Sequence, residues 1–419
     1  MHSIRVGAFV SLSALIVAGC GDAGPTEEEP IEASAAPLAK WGVTVLGPGF
    51  NPSLALGPND VPAVAVGQGV ADPGRNAGDT TPVVYRNDGN WRQGWGWTTD
   101  PVGVVPNHFQ GNFMSLAFNG LTTQLVFSSR DKSHRDNPMT LWFGTSSPFG
   151  AGWQTGTFAD DGWIWQAVQR VTGGTTRIAY PAPPPSQHQV RVATSQPGGG
   201  WATQTVSIPL ALLNSLDFAV GDTGSGSPHL GIATTTLSGG SIPRGVHFVG
   251  STDGGATWGT AVTIDDAWAM ISPQIAFAGE NPVITYTELD QNHAKIATTS
   301  DGGKTWDVEI IGTYDASPST DVAIDPLTKE PVVAIFSVDS TNAKDRLEVA
   351  RRDPSGNWTF ELVDSVDHGT GVFFAVEPQI AVTSDGTVVL AWEACNVFTE
   401  RCEIRFAWDD AGKVIGPGN

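Results

Sequence analysis

Acidic residues stand beside aromatic ones at several separate points of this chain: Asp160 and Asp161 before Trp163 and Trp165, Asp265 and Asp266 before Trp268, Tyr314 before Asp315, and Asp367 and His368 ahead of Glu377. A flat apolar ring flanked by hydrogen-bond acceptors suits a sugar, which offers C–H faces and hydroxyl donors together. The same residues would serve equally well as packing between repeated units and as caps on turns. Carboxylates also do acid/base work in pairs across a cleft, and Asp161, Asp266, Asp315, Glu377 and Glu393 are all eligible members of such a pair. The densest run of charge, Arg130-Asp-Lys-Ser-His-Arg-Asp136, offers Arg130 and Arg135 to a planar oxyanion, although its mixed signs favour a self-neutralising surface loop.

Repetition supplies the frame that must hold these residues. Ser251-Thr-Asp-Gly-Gly-Ala-Thr-Trp258 and Thr299-Ser-Asp-Gly-Gly-Lys-Thr-Trp306 are nearly the same string. In each, the Gly pair accepts positive φ, the Asp carboxylate caps nearby N–H groups, and the Thr and Trp open the next strand. Trp91, Trp153, Trp201, Trp258, Trp306 and Trp358 recur at separations of 62, 48, 57, 48 and 52 residues, a spacing that suits four short strands per unit. Each unit also carries an earlier apolar pair of strands, as in Ser53-Leu-Ala-Leu, Gln274-Ile-Ala-Phe and Gln379-Ile-Ala-Val, with further copies near Ser115, Gln166, Leu216 and Asp321. Seven such starts imply seven units. The last has no outer strand of its own, and Lys40-Trp-Gly-Val-Thr-Val-Leu46 matches the missing one. The expected fold is therefore all-β: a seven-bladed β-propeller with four-stranded antiparallel blades over residues 40–419, closed by an N-terminal strand pairing into the last blade.

The repeated turn resembles the Asp-box of the sialidase superfamily of β-propellers, with Asp253 and Trp258, and Asp301 and Trp306, at its defining positions. The resemblance implies a functional mouth on the face opposite these turns. It places Asp161, Trp163, Trp165, Asp266, Trp268, Tyr314, Asp315 and His368 there as candidate ligand-binding residues. Sialidases of this superfamily use three Arg, a Tyr nucleophile activated by Glu, and an acid/base Asp on a six-bladed ring. Their early Phe/Tyr-Arg-Ile-Pro motif is missing here; the nearest string is Thr176-Arg-Ile-Ala-Tyr180. Tyr286 with Glu288 is the best nucleophile-and-base pair available, while Asp321 and Glu377 are the carboxylates expected to approach the channel. Either acid could instead hold a structural cation such as calcium.

Arg5 precedes an apolar run from Val6 to Val17 that ends in Val17-Ala-Gly-Cys20. This resembles a bacterial lipoprotein signal peptide over residues 1–19, with Cys20 the lipidated residue. Residues 21–39 hold five acids and no base, the composition of a solvated tether. Cys395 and Cys402 are expected to form a disulfide in an oxidising compartment, and two thiols without clustered His lack the ligand set of a metal site. The formal charge of −21 argues against nucleic acid as a partner. No Gly-rich phosphate loop points to a nucleotide cofactor. The reading is a lipid-anchored envelope protein that binds a carbohydrate or an extracytoplasmic protein, with a sialidase-like glycoside hydrolase as the alternative.

Overall fold

The computed structural model describes residues 41–69, 80–103, 108–131, 140–147, 152–159, 166–182, 189–208, 213–221, 226–236, 245–266, 273–396, 398, 399 and 401–409. They form seven antiparallel four-stranded sheets, each a blade of one β-propeller. From the innermost strand outward, blade 1 comprises Phe50–Leu56, Pro62–Gly69, Thr80–Asn87 and Trp97–Pro101. Blades 2 to 6 begin with the inner strands His108–Asn119, Val168–Thr172, Leu213–Gly221, Gln274–Ala278 and Ser319–Ile324, and each runs outward in chain order. Blade 7 takes Val372–Val382, Val388–Asn396 and Arg401–Asp409 from the end of the chain and Trp41–Pro48 from its beginning.

The apolar core is divided among the seams between blades. Tyr286, Ile284 and Ala297 of blade 5 pack on Phe248, Val246 and Ala233 of blade 4. Val389, Ala391, Ile404 and Phe406 of blade 7 pack on Val64, Val66, Val83 and Tyr85 of blade 1. A middle strand lies between two such seams and buries both faces, so Val388–Asn396 is buried at every position but its last. Each fully buried aliphatic or aromatic side chain of this kind stabilises the fold by about 1.5–3 kcal/mol.

The repeated turns are held as their residue types require. Asp253 Oδ1 accepts the Thr257 N–H at 2.8 Å and Asp301 Oδ1 accepts the Thr305 N–H at 3.0 Å. The Ser251 and Thr299 hydroxyls each donate to the same Asp oxygen. Hydrogen bonds from Thr257 bring the Asp253 carboxyl down to about 2, and the matching set led by Thr305 lowers Asp301 further. Gly302 and Gly303 take φ of 74° and 93°, which glycine adopts at least cost.

Trp41–Pro48 pairs antiparallel with Arg401–Asp409, from Trp41 opposite Asp409 to Pro48 opposite Glu403. Cys395 stands directly across from Cys402 in the neighbouring ladder, and the two are joined by a disulfide. Blade 4 departs from the sequence pattern in that its outer strand, Val262–Asp265, begins after Trp258, and blade 1 departs further. Trp91 lies in a single 3-10 turn, Trp91–Gln93, and the outer strand starts instead at Trp97. Trp91 is nonetheless buried against Phe406 of blade 7, so the residue keeps a packing role without opening a strand.

Candidate functional site

Inner strands leave one edge facing the channel axis, where main-chain N–H groups lack a ladder partner. A side chain of the preceding blade meets that need at seam after seam. Ser53 Oγ accepts from Leu116 N at 3.0 Å, Ser115 Oγ from Gln169 N at 2.9 Å, and Gln166 Oε1 from Leu216 N at 3.0 Å. Asp217 Oδ2 accepts from Ile275 N at 2.9 Å and Asp321 Oδ2 from Ile380 N at 2.8 Å. Glu393 Oε2 closes the ring by accepting from Asn51 N at 2.8 Å. This explains the polar residue at the head of the Ser-Leu-Ala and Asp-Val-Ala inner-strand strings: its oxygen fastens the next blade.

Three of these acceptors are carboxylates whose protonation the fold alters. Burial pushes Asp321 up to about 7; the Ile380 N–H opposes the rise and the negative charge of Asp217 adds to it. Burial likewise raises Asp217, against the lowering by Arg170, whose Nη2 stands 3.3 Å from Asp217 Oδ1. Glu393 is pushed up to about 7 by burial, with the Asn51 N–H opposing. Asp321 is half-buried on its inner strand and exchanges a proton near neutral pH, the property required of a general acid. Asp217 and Arg170 were not expected at the site. The signal was present, because Asp217-Phe-Ala-Val repeats the Asp321-Val-Ala-Ile string.

A second polar cluster fills the seam between blades 4 and 5. Tyr286 Oη donates to Asp265 Oδ2 at 2.6 Å, and Lys295 Nζ lies 3.0 Å from both Asp265 Oδ2 and Glu288 Oε2. His293 Nδ1 is 2.9 Å from Glu288 Oε2. Burial alone would lower the Lys295 ammonium, but Glu288 and Asp265 outweigh it and hold the charge in place. Tyr286 is fully buried; burial, the bond to Asp265 and the nearby negative charges keep it a phenol. The geometry therefore brings Tyr286 and Glu288 into one network, in which Lys295 bridges the Asp265 and Glu288 carboxylates and Tyr286 is fully buried.

Of the other residues singled out by sequence, Asp266 is exposed at the end of the outer strand of blade 4. Tyr314 has its hydroxyl buried without a partner, and burial together with the Glu348 charge raises its pKa. Asp315 is exposed and ties two loops together by accepting from Ser340 N at 3.0 Å and Ser340 Oγ at 2.9 Å. His368 Nε2 donates to Asp345 Oδ1 at 2.6 Å, while Asp345 Oδ2 accepts the Phe374 N–H. Asp161, Trp163, Trp165, Trp268 and Cys20 lie outside the described residues, as does the side chain of Glu377. Among the described residues, Glu393, Cys395 and Cys402 are the group close enough to hold a metal ion, and there the sulfurs are joined to each other.

No protein-family model matches the sequence, and no curated protein matches it. Several solved structures are similar to it at low identity. The K499G mutant of NanB sialidase from Streptococcus pneumoniae is 12% identical, with 86% of this chain and 68% of that one covered at a TM-score of 0.48. The phage phi92 endosialidase is 10% identical, over 91% of this chain and 70% of that one, at a TM-score of 0.49. The intramolecular trans-sialidase from Ruminococcus gnavus is 11% identical, over 88% and 96% of the two chains, at 0.46.

Proposed function

We propose that the chain is an exported, lipid-anchored β-propeller that recognises a carbohydrate at the mouth of its channel and does not turn it over. The observation that carries this reading is the engagement of the candidate catalysts. Asp321 accepts main-chain N–H groups of Val322 and Ile380, Glu393 accepts that of Asn51, and Tyr286 is locked to Asp265. Groups fixed in this way hold the ring rigid, which suits presentation of a preformed surface. Asp266 and Asp315 are exposed and would offer acceptors to sugar hydroxyls. The Cys395–Cys402 disulfide suits an oxidising compartment, as export through the Cys20 signal requires.

One observation favours a second reading, a sialidase-like glycoside hydrolase. Asp321 is held near 7 on an inner strand, within the influence of Arg170 and Asp217, and a general acid needs that protonation at neutral pH. A glycan array probed with the full-length protein, beside hydrolysis of sialosides and neutral oligosaccharides, separates the two. Specific binding without turnover supports recognition. Turnover that falls at least about tenfold in Asp321→Ala, with folding intact, establishes the hydrolase. Failure in both assays leaves a protein ligand and overturns the carbohydrate reading.

A further inference from the structure

At two seams of the propeller rim an indole N–H is accepted by a side chain of the preceding blade, whereas the buried Trp41, Trp97 and Trp153 Nε1 atoms have no hydrogen-bond partner among the described residues. At those two seams the acceptor is the third residue after the Trp that follows the outer turn. In blade 3 that residue is Gln204, whose Oε1 accepts the Trp258 indole N–H at 3.3 Å. In blade 5 it is Glu309, whose Oε1 accepts the Trp358 indole N–H at 2.9 Å. Blade 4 has Ala261 at this position, and Trp306 turns to a carbonyl of its own hairpin, Gly303 O, at 3.1 Å. In blade 2 the residue is Gly156, three after Trp153, and among the described residues none accepts the Trp201 indole N–H.

The position without a side chain lies in an open surface depression. A Cβ placed on Gly156 meets nothing within 4 Å. A pocket of about 310 Å³ opens there, bounded by the rings of Phe143, Phe158 and Trp201 and by Gln154, Thr155 and Thr157. The rings are fixed edge to face, with Trp201 centred 5.1 Å from Phe143 and 4.9 Å from Phe158. Gln154, Thr155 and Thr157 are exposed, and among the described residues no charged side chain lines the pocket. A ligand that fits must bring an oxygen acceptor to the indole, an apolar face to the rings and neutral hydroxyl donors and acceptors to the amide and threonines. A neutral sugar residue has all three.

We infer that the seam between blades 2 and 3 is a binding site for a neutral glycan residue, separate from the channel mouth, with Gly156 as the residue that makes room and Trp201 as the donor. The inference stands on the rim geometry and does not depend on the reading of the mouth. The test is titration of the full-length protein with the methyl glycosides of galactose, glucose, mannose and N-acetylglucosamine, followed by calorimetry or ligand-observed NMR. At least one glycoside is expected to bind. Gly156→Gln restores the acceptor found in blade 3 and fills the pocket, so it abolishes binding while its melting temperature stays level or rises. Trp201→Phe keeps a ring but loses the N–H and weakens binding by about tenfold. Val308→Thr, exposed on the outer strand of blade 5, leaves this binding unchanged. The inference fails if none of the four glycosides binds, if Gly156→Gln binds as the parent does, or if Asp266→Ala removes the binding that Gly156→Gln keeps. Loss of array signal in Asp266→Ala alone speaks only to the mouth.

Discussion

Glu393 accepts the main-chain N–H of Asn51 at 2.8 Å, and the carboxylate of the last blade thereby fastens the first. The bond itself needs only an oxygen, whereas the charge is held in a site that burial makes unfavourable, pushing the group up to about 7.

Glu393→Gln keeps the acceptor and removes the charge. It is expected to stabilise the protein at pH 8 by about 3 kcal/mol, the free energy of a shift of this size, and to lose that advantage below pH 5. Thermal unfolding of both proteins at the two pH values checks it; a variant less stable than the parent at pH 8 refutes it.

The same groups set a direction for pH dependence. Asp321 and Glu393 have folded pKa values near 7, above those of the unfolded chain. Their contribution is full below the unfolded values and is lost as pH rises through 7. Asp253 and Asp301 are lowered in the fold, so their contribution is full above the unfolded value and lost as pH falls toward 2. The melting temperature is therefore expected to peak near pH 5 and to fall toward both pH 8 and pH 2. A steady rise from pH 5 to pH 8 would contradict the assignment of the buried acids.

Gly302 and Gly303 separate backbone strain from crowding. Both have positive φ, but a Cβ on Gly302 meets open space while one on Gly303 runs into the Phe248 ring of blade 4. Gly302→Ala should cost about 1–2 kcal/mol from conformation alone. Gly303→Ala should cost clearly more, because the seam must also give way. Denaturant unfolding of the pair measures the difference, and equal losses would show that Phe248 moves freely.

Deleting residues 41–48 removes the outer strand of blade 7 and leaves Arg401–Asp409 as a bare edge. Trp408 packs against the lost strand, since a Cβ at Gly42 would strike its ring. The deletion is expected to lower the melting temperature of the whole ring in one transition and to promote aggregation. Unchanged unfolding followed by calorimetry would show that closure is dispensable.

The architecture was legible because a blade is written locally. Apolar alternation marks its strands, and Asp-Gly-Gly marks a hairpin that depends on its own eight residues. Closure was legible for the same reason, since Lys40-Trp-Gly-Val-Thr-Val-Leu46 reads as an outer strand wherever it falls. The role of Asp321 was not, because its partner is the N–H of Ile380, 59 residues away, and nothing near Asp321 announces that need. Tyr286 and Glu288 pointed to chemistry by type, while Asp265 and Lys295, brought in from other strands, decide what the pair can do. Gly156 reads as an ordinary strand glycine until Gln204 and Glu309 show what blades 3 and 5 place there.

The fastenings between inner strands also have an order in time. At five seams the accepting side chain precedes its donor in the sequence: Ser53 before Leu116, Ser115 before Gln169, Gln166 before Leu216, Asp217 before Ile275 and Asp321 before Ile380. A chain that emerges from the ribosome N-terminus first therefore presents each new blade with an oxygen already waiting on the old one. Among the described residues, only Asn51 and Glu393 reverse the sequence, so the Asn51 N–H meets this carboxylate only after almost the whole polypeptide has been made.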